Sequence, residues 1–363
     1  MVYLVSFALA FVFALIADML RERGNKKLAA CFVGLSGIVL FLVQALREGV
    51  GADYTDIYVG EYERYLKTGE SRFEIGFTLL MKMGSVLSFD YHFILGICSA
   101  VIVAGVYIAI FRSGLRCSTG VSLFILSGFF FFSMNGVRQS VAIALLLNAV
   151  LSLEDGDKKS FAAITMLAAT FHMYSLIVLL VPLLSRAGMT YRYLIILFVA
   201  IFGLSPWLGA VIVKMGSLVS KQIATYASNE YLRGIYLSGD FDFSDFLLCS
   251  MTIAAAYMVK PIANRQIAAR ISSPTTLMLC LGVMATAVSP AMAIFSRVAA
   301  YCTPFLIIDA GRLIEGDASR SKGGRAVIAA YISMLVVLFV VLYLYRNFSL
   351  VFPYVSIFDY VIS

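Results

Sequence analysis

The chain has 363 residues, of which 61% are hydrophobic and 13% charged, against the ~45–50% apolar content of ordinary soluble domains. Apolar runs of ~18 residues or more recur without alternating with polar positions, so the sequence reads as an all-α, polytopic transmembrane helix bundle rather than a soluble domain or a β-barrel. The net charge of +7 lies in short Lys/Arg clusters between apolar runs, as in cytoplasmic loops, and no nucleic-acid partner is expected.

Cys31, Cys98, Cys117, Cys249, Cys280 and Cys302 fall mostly in apolar runs and form no CxxC pair, so neither a disulfide framework nor a zinc site is expected. The two histidines lie far apart in the sequence. Neither a metal nor a cofactor is expected.

In chain order, Val2–Ala17 is a first span with no basic stretch before it and no cleavage motif after it, so it is expected to be retained. Arg21, Arg23, Lys26 and Lys27 follow directly and assign that loop to the cytoplasm. Leu28–Ala45 returns to the outer face. Residues 46–91 then form an external loop in which 73–89, interrupted by Lys82 and Gly84, reads as a re-entrant or interfacial helix. Tyr91–Phe111 crosses inward to Arg112 and Arg116.

The apolar run from Val121 to Leu153 would span ~50 Å as one helix, too long for a ~30 Å hydrocarbon core. It reads as two short helices meeting at Asn135-Gly136, with Arg138 just inside the outer face. A guanidinium there costs ~2.5–3.5 kcal/mol on insertion scales and marks a functional position. Residues 160–184 read as a hairpin turning near His172, since a single span leaves more of the 28 lysines and arginines outside than inside.

Leu194–Val213 then exits and 214–245 forms a second long external loop. Phe246–Met258 returns to a cytoplasmic loop carrying Lys260, Arg265 and Arg270. Thr275–Ile294 goes out, Ser296-Arg297 marks a turn, and Val298–Ile308 comes back. Arg312, Arg320, Lys322 and Arg325 lie inside, and Ala326–Leu344 exits. The expected fold is a single integral membrane domain, 1–363, of about 12 crossings including short or re-entrant helices.

This topology places Arg47, Asp53, Tyr54, Glu74, Asn135, Arg138, Gln139, His172 and Arg297 on the outer side. Arginines suit a phosphate ester, which guanidinium binds bidentately. A histidine or carboxylate beside them suits proton transfer. Tyr54, Tyr58, Tyr62 and Tyr65 form an amphipathic stripe that fits either a sugar-stacking face or an interfacial one. Snorkelling is the alternative account of Arg47 and Arg297 at span ends, and a core histidine bonded to the backbone is the alternative account of His172.

Four segments carry a family resemblance: Leu46-Arg47-Glu48-Gly49-Val50-Gly51-Ala52-Asp53-Tyr54, Glu74-Ile75-Gly76-Phe77, Asn135-Gly136-Val137-Arg138-Gln139 and Ala168-Ala169-Thr170-Phe171-His172. In that order they resemble the EpsG family, bacterial multi-pass membrane proteins of exopolysaccharide and capsule clusters similar to Wzy-type polymerases. Ser296-Arg297 fits a late arginine, and the resemblance covers most of residues 1–310.

The resemblance implies glycosyl transfer at the outer face of the cytoplasmic membrane from a polyprenyl (undecaprenyl) diphosphate-linked oligosaccharide. Arg138, Arg47 and Arg297 would bind the diphosphate. His172, Asp53 or Glu74 would take the acceptor proton, and Asn135, Gln139 and Tyr54 would hold substrate oxygens. Expected partners are that lipid-linked glycan, membrane lipids, a chain-length regulator and other assembly proteins. Two other classes remain open, a transporter or flippase for an anionic or lipid-linked saccharide and a membrane O-acyltransferase. Charges bunched at one face rather than at the midplane weigh against transport.

Overall fold

The computed structural model describes residues 1–219, 228, 239–259, 271, 273–317 and 321–359. Lys260, Arg265, Arg270, Arg320 and most of the 220–238 stretch lie outside the described residues. Apart from isolated bridge positions, among them Arg47 with Ser356, the regular elements described are helices. The chain divides into two compact units, residues 1–176 with 332–363, and residues 177–331.

Unit 1 begins with α1 (Val2–Glu22) and α2 (Lys26–Ala45). The turn between them uses Gly24 at φ +80, and Asn25 caps α2 by accepting from the Leu28 amide at 3.3 Å. A π-helix (Tyr54–Val59), α3 (Gly60–Thr68) and α4 (Ile75–Val86) fill the segment read as an external loop with one interfacial helix. Then come α5 (Tyr91–Arg112), α6 (Cys117–Leu126), α7 (Phe129–Asn135), α8 (Val137–Glu154) and α9 (Lys158–Phe171).

Helix α8 is the axis of this unit, with 78% of its span buried against 28% for α1. Its small residues permit close packing, since a Cβ on Gly105 of α5 would stand 3.0 Å from that of Ala144. Asn148 crosses the same interface, donating to the Gly105 carbonyl at 2.8 Å.

The helix break expected at Asn135-Gly136 is present, and a second lies at Ser127-Gly128, where α6 and α7 bend by 55°. Gly128 takes φ +76, and a Cβ there would collide with the Tyr343 ring. The chain is also broken at His172, which is extended between α9 and a 3₁₀ helix, Met173–Leu179.

Unit 2 contains α10 (Leu180–Ala187), α11 (Tyr191–Val219), α12 (Phe243–Val259), α13 (Pro274–Val288), α14 (Ile294–Cys302) and, after a 3₁₀ turn, α15 (Leu306–Glu315). The Met189 carbonyl accepts from the Ile271 amide at 2.8 Å, joining the starts of α11 and α13 at one end. At the other end the Ser289 hydroxyl donates to the Asp240 carbonyl at 3.0 Å and accepts from the Asp242 amide at 3.2 Å. Helix α16 (Lys322–Phe339) leaves this unit and ends in a π-helix, Val340–Tyr345, within unit 1.

Among the described residues, seven helices are long and apolar enough to cross a membrane, or up to eight if the bent pair α6–α7 counts as one span. That is fewer than the expected crossings because α12, α13 and the 173–187 segment are apolar but short and α9 has 14 residues, all below the ~20 residues of a perpendicular span. The multi-pass all-α architecture itself stands.

Candidate functional site

In unit 1, alternate helix ends gather two contrasting sets of residues. One end carries Arg21, Arg23, Lys26, Lys27, Arg112, Arg116, Lys158 and Lys159. The other carries all four segments of the family resemblance, tied to one another by hydrogen bonds. The Asp53 amide donates to the Asn135 side-chain oxygen at 2.8 Å. The Arg47 guanidinium reaches the Met134 carbonyl at 3.2 Å. Arg138 forms an ion pair with Glu74. The second Glu74 oxygen accepts from the Met173 amide at 3.3 Å, one residue past His172.

Two glycines permit this convergence. A Cβ on Gly51, at φ +106, would lie 2.8 Å from the Met134 carbonyl oxygen, and one on Gly76 would lie 2.6 Å from the Thr170 hydroxyl. Only a residue without a side chain lets these backbones approach so closely.

Arg138 and Glu74 are the half-open part of the site, with 18% and 23% of their side chains exposed. The guanidinium stands 3.9 Å from the centroid of the Phe73 ring, a cation–π contact that fixes its plane. Burial pushes the Tyr58 hydroxyl up to about 12, with the charge of Arg138 pulling the other way. A guanidinium held by an aromatic face and one carboxylate suits an anionic ligand able to displace that carboxylate.

Arg47 was expected to bind substrate, but it is only 1% exposed. Its guanidinium donates to the carbonyls of Gln44, at the C-terminal end of α2, and Met134, at the C-terminal end of α7. Orphan carbonyls and the negative ends of two helix dipoles therefore hold it, and burial still works against its charge, lowering its pKa. It positions the 46–54 loop and presents no face to a ligand.

The tyrosine stripe also points inward. Tyr54, Tyr58 and Tyr62 are buried. Tyr54 donates to the Arg47 carbonyl at 3.3 Å and Tyr62 to the Phe89 carbonyl at 2.7 Å. Tyr58 packs on Phe73 and Phe77. Neither a sugar-stacking face nor an interfacial one describes them.

Asn135 spends its side-chain oxygen on the loop. Gln139 is buried in the first turn of α8, and His172 is 6% exposed at the end of α9. Asp53 is half-buried. Arg297 is exposed on α14 in unit 2 and is not among the residues these hydrogen bonds bring together.

Sequence reasoning passed over two features of this end. Glu48 and His92 bond at 2.7 Å, with 20% and 24% of their side chains exposed. Glu48 also accepts from Tyr91 at 2.7 Å and Tyr54 at 3.2 Å, while the second His92 nitrogen lies 3.1 Å from Asp90. The position of Glu48 inside the first motif was the available signal.

The second feature is the C-terminal segment. The Glu48 amide donates to the Val355 carbonyl at 2.9 Å, the Ile357 amide to Leu46 at 3.0 Å and the Gly51 amide to Leu350 at 3.1 Å. This tail backs the loop that carries Arg47.

Comparison with known proteins identifies the family. The profile of the EpsG family matches residues 30–356, well past residue 310, where the motif resemblance stops. Searches of curated proteins and of solved structures found no match. With the family match spanning most of its length and the four motifs joined at one end of unit 1, the chain belongs to the EpsG family.

Proposed function

We propose that the protein is a Wzy-like polysaccharide polymerase that joins lipid diphosphate-linked oligosaccharide repeat units at the outer face of the bacterial cytoplasmic membrane. Family membership supports the polymerase role. The observation that carries the assignment to residues is the Arg138–Glu74 pair, partly exposed where the four motifs meet.

The positive-inside rule assigns the basic ends of both units to the cytoplasm. In unit 2 that end carries Arg186 and Arg192 near the Met189–Ile271 bond. Parity then has α9, the 173–187 segment, α12 and α13 cross as short legs, which restores a total of about 12 crossings. The Arg138 end of unit 1 faces outward.

In the reaction, the donor diphosphate takes the Arg138 guanidinium from Glu74. Arg138 then stabilises charge building on the leaving diphosphate, an electrostatic role that grows in the transition state. The acceptor hydroxyl oxygen bonds to the anomeric carbon as the bond from that carbon to the diphosphate oxygen breaks. The lipid diphosphate leaves with the electron pair.

Glu74, released from Arg138, takes the hydroxyl proton. It is preferred to His172 because it is the more exposed of the two. His172 holds the turn whose next amide positions Glu74.

The test is polymer-length analysis in cells carrying Arg138→Ala or Glu74→Gln at wild-type protein levels. Lipid-linked single units accumulating outside the cytoplasm support the proposal. Long polymer in both variants overturns it, and units retained inside favour a flippase.

A further inference from the structure

The basic end of unit 1 contains a cavity that the polymerase reading does not use. It has a volume of about 320 Å³ and lies between α1, α2 and α5, closed below by the start of α6. The walls are apolar, with Ala17, Ala29 and Val33 on one side and Tyr107 and Ile110 on the other. Small side chains on α1 and α2 leave the space open. Tyr107 keeps its hydroxyl out of it by bonding to Ser36 at 2.7 Å.

The charges at the rim are uneven. Arg112 pairs with Asp155 and Arg116 with Glu22, both at 2.8 Å. Arg21 and Lys26, which line the cavity mouth, have no ion-pair partner among the described residues. Arg21 is held beside the mouth by the Phe111 ring, 5.4 Å from its centroid.

The one carboxylate inside, Asp18, is committed elsewhere. It accepts from the amides of Cys117 and Ser118 at 2.8 and 2.9 Å and from the Ser118 hydroxyl at 2.6 Å, capping α6. Its charge is therefore offset by a helix N-terminus. Two uncompensated cations remain over an apolar slot.

We propose that this cavity is a binding site for an anionic glycerophospholipid, its phosphate held by Arg21 and Lys26 and an acyl chain laid between α1, α2 and α5. Basic pockets between membrane helices recognise lipid headgroups through this combination of charge and apolar wall. A zwitterionic lipid offers the same chain but brings its own cation to the rim, so it gains less. The site is separate from the Arg138 end and independent of the reaction proposed there.

The test uses the full chain in mild detergent, titrated with mixed micelles of phosphatidylglycerol or phosphatidylcholine and read by native mass spectrometry. Phosphatidylglycerol is expected to be retained in preference to phosphatidylcholine. The double variant Arg21→Gln/Lys26→Gln is expected to weaken that binding by roughly tenfold or more. Ala30→Phe, which fills the cavity without changing charge, is expected to weaken both lipids.

Arg23→Gln/Lys27→Gln removes the same charge from the same turn but not from the cavity lining, and is expected to bind as the wild type does. The proposal is overturned if the two lipids bind equally. It is also overturned if the control pair weakens phosphatidylglycerol as much as the rim pair does, or if Ala30→Phe leaves retention unchanged.

Discussion

Glu74 divides its carboxylate between two segments distant in sequence, giving one oxygen to the Arg138 guanidinium and the other to the Met173 amide. The same side chain thus holds the proposed phosphate ligand in reserve and fixes the turn after His172. A substitution that keeps one acceptor oxygen separates these two roles.

Glu74→Gln keeps the size and one acceptor, so the Met173 bond is expected to survive while the charge on Arg138 is uncompensated. Polymer formation is expected to fall by ~10²-fold or more, as when a proton-transfer group is removed. Thermal stability of the purified protein is expected to change little. A variant that loses stability and activity together would assign Glu74 to the scaffold instead.

Arg47 and Arg138 are expected to separate cleanly. Arg47→Gln strips a buried cation from two helix C-termini, and unsatisfied buried carbonyls cost ~1–3 kcal/mol each. The melting temperature and the membrane protein level should both drop. Arg138→Gln, at a half-open position, should leave both near wild type while polymer disappears. Thermal unfolding of the two purified variants side by side checks this.

Gly51→Ala places a methyl group against the Met134 carbonyl and also strains a positive φ. Overpacking of this kind costs ~1–3 kcal/mol. Gly34→Ala on α2, with open space around it, serves as the comparison and should be neutral or mildly stabilising. Equal melting temperatures for the two variants would contradict the close approach of the first and third motifs.

Glu61 sets the acid limit of the 60–73 segment. Burial pushes its carboxyl up, but Arg64 at 2.8 Å and the Arg72 amide at 2.9 Å outweigh that and hold it below the ordinary glutamate range. A carboxyl lowered by folding stabilises the folded form above its unfolded pKa, and that contribution is lost as pH falls through the folded value. Proteolysis of the segment is expected to rise on acidification below the usual glutamate range. Glu61→Gln should already be cut faster at neutral pH and show a flatter pH response.

Much of this site was legible in the sequence because its markers are local. The break at Asn135-Gly136 follows from a glycine and polar residues in an overlong apolar run, and the order of the four motifs gave the family. What was hidden depends on backbone groups and distant contacts. The hydrogen-bond partners of Arg47 are two carbonyls, those of Gln44 and Met134, which have no sequence signature. The bend at Gly128 is shaped by Tyr343, and the loop of the first motif rests on residues 350–357. Tyr54, Tyr58 and Tyr62 had the spacing of a helix face, but spacing does not say whether a face turns to the interior.

In the proposed reaction Arg138 carries polymerisation by holding the donor diphosphate. The direct measurement is glycan synthesis by the purified protein in vesicles, given a polyprenyl diphosphate-linked repeat unit. Wild-type protein should release polyprenyl diphosphate and build a ladder of longer glycans, while folded Arg138→Ala should do neither and Arg138→Lys should retain a small fraction. A ladder from Arg138→Ala of wild-type length and rate would show that Arg138 does not carry the reaction.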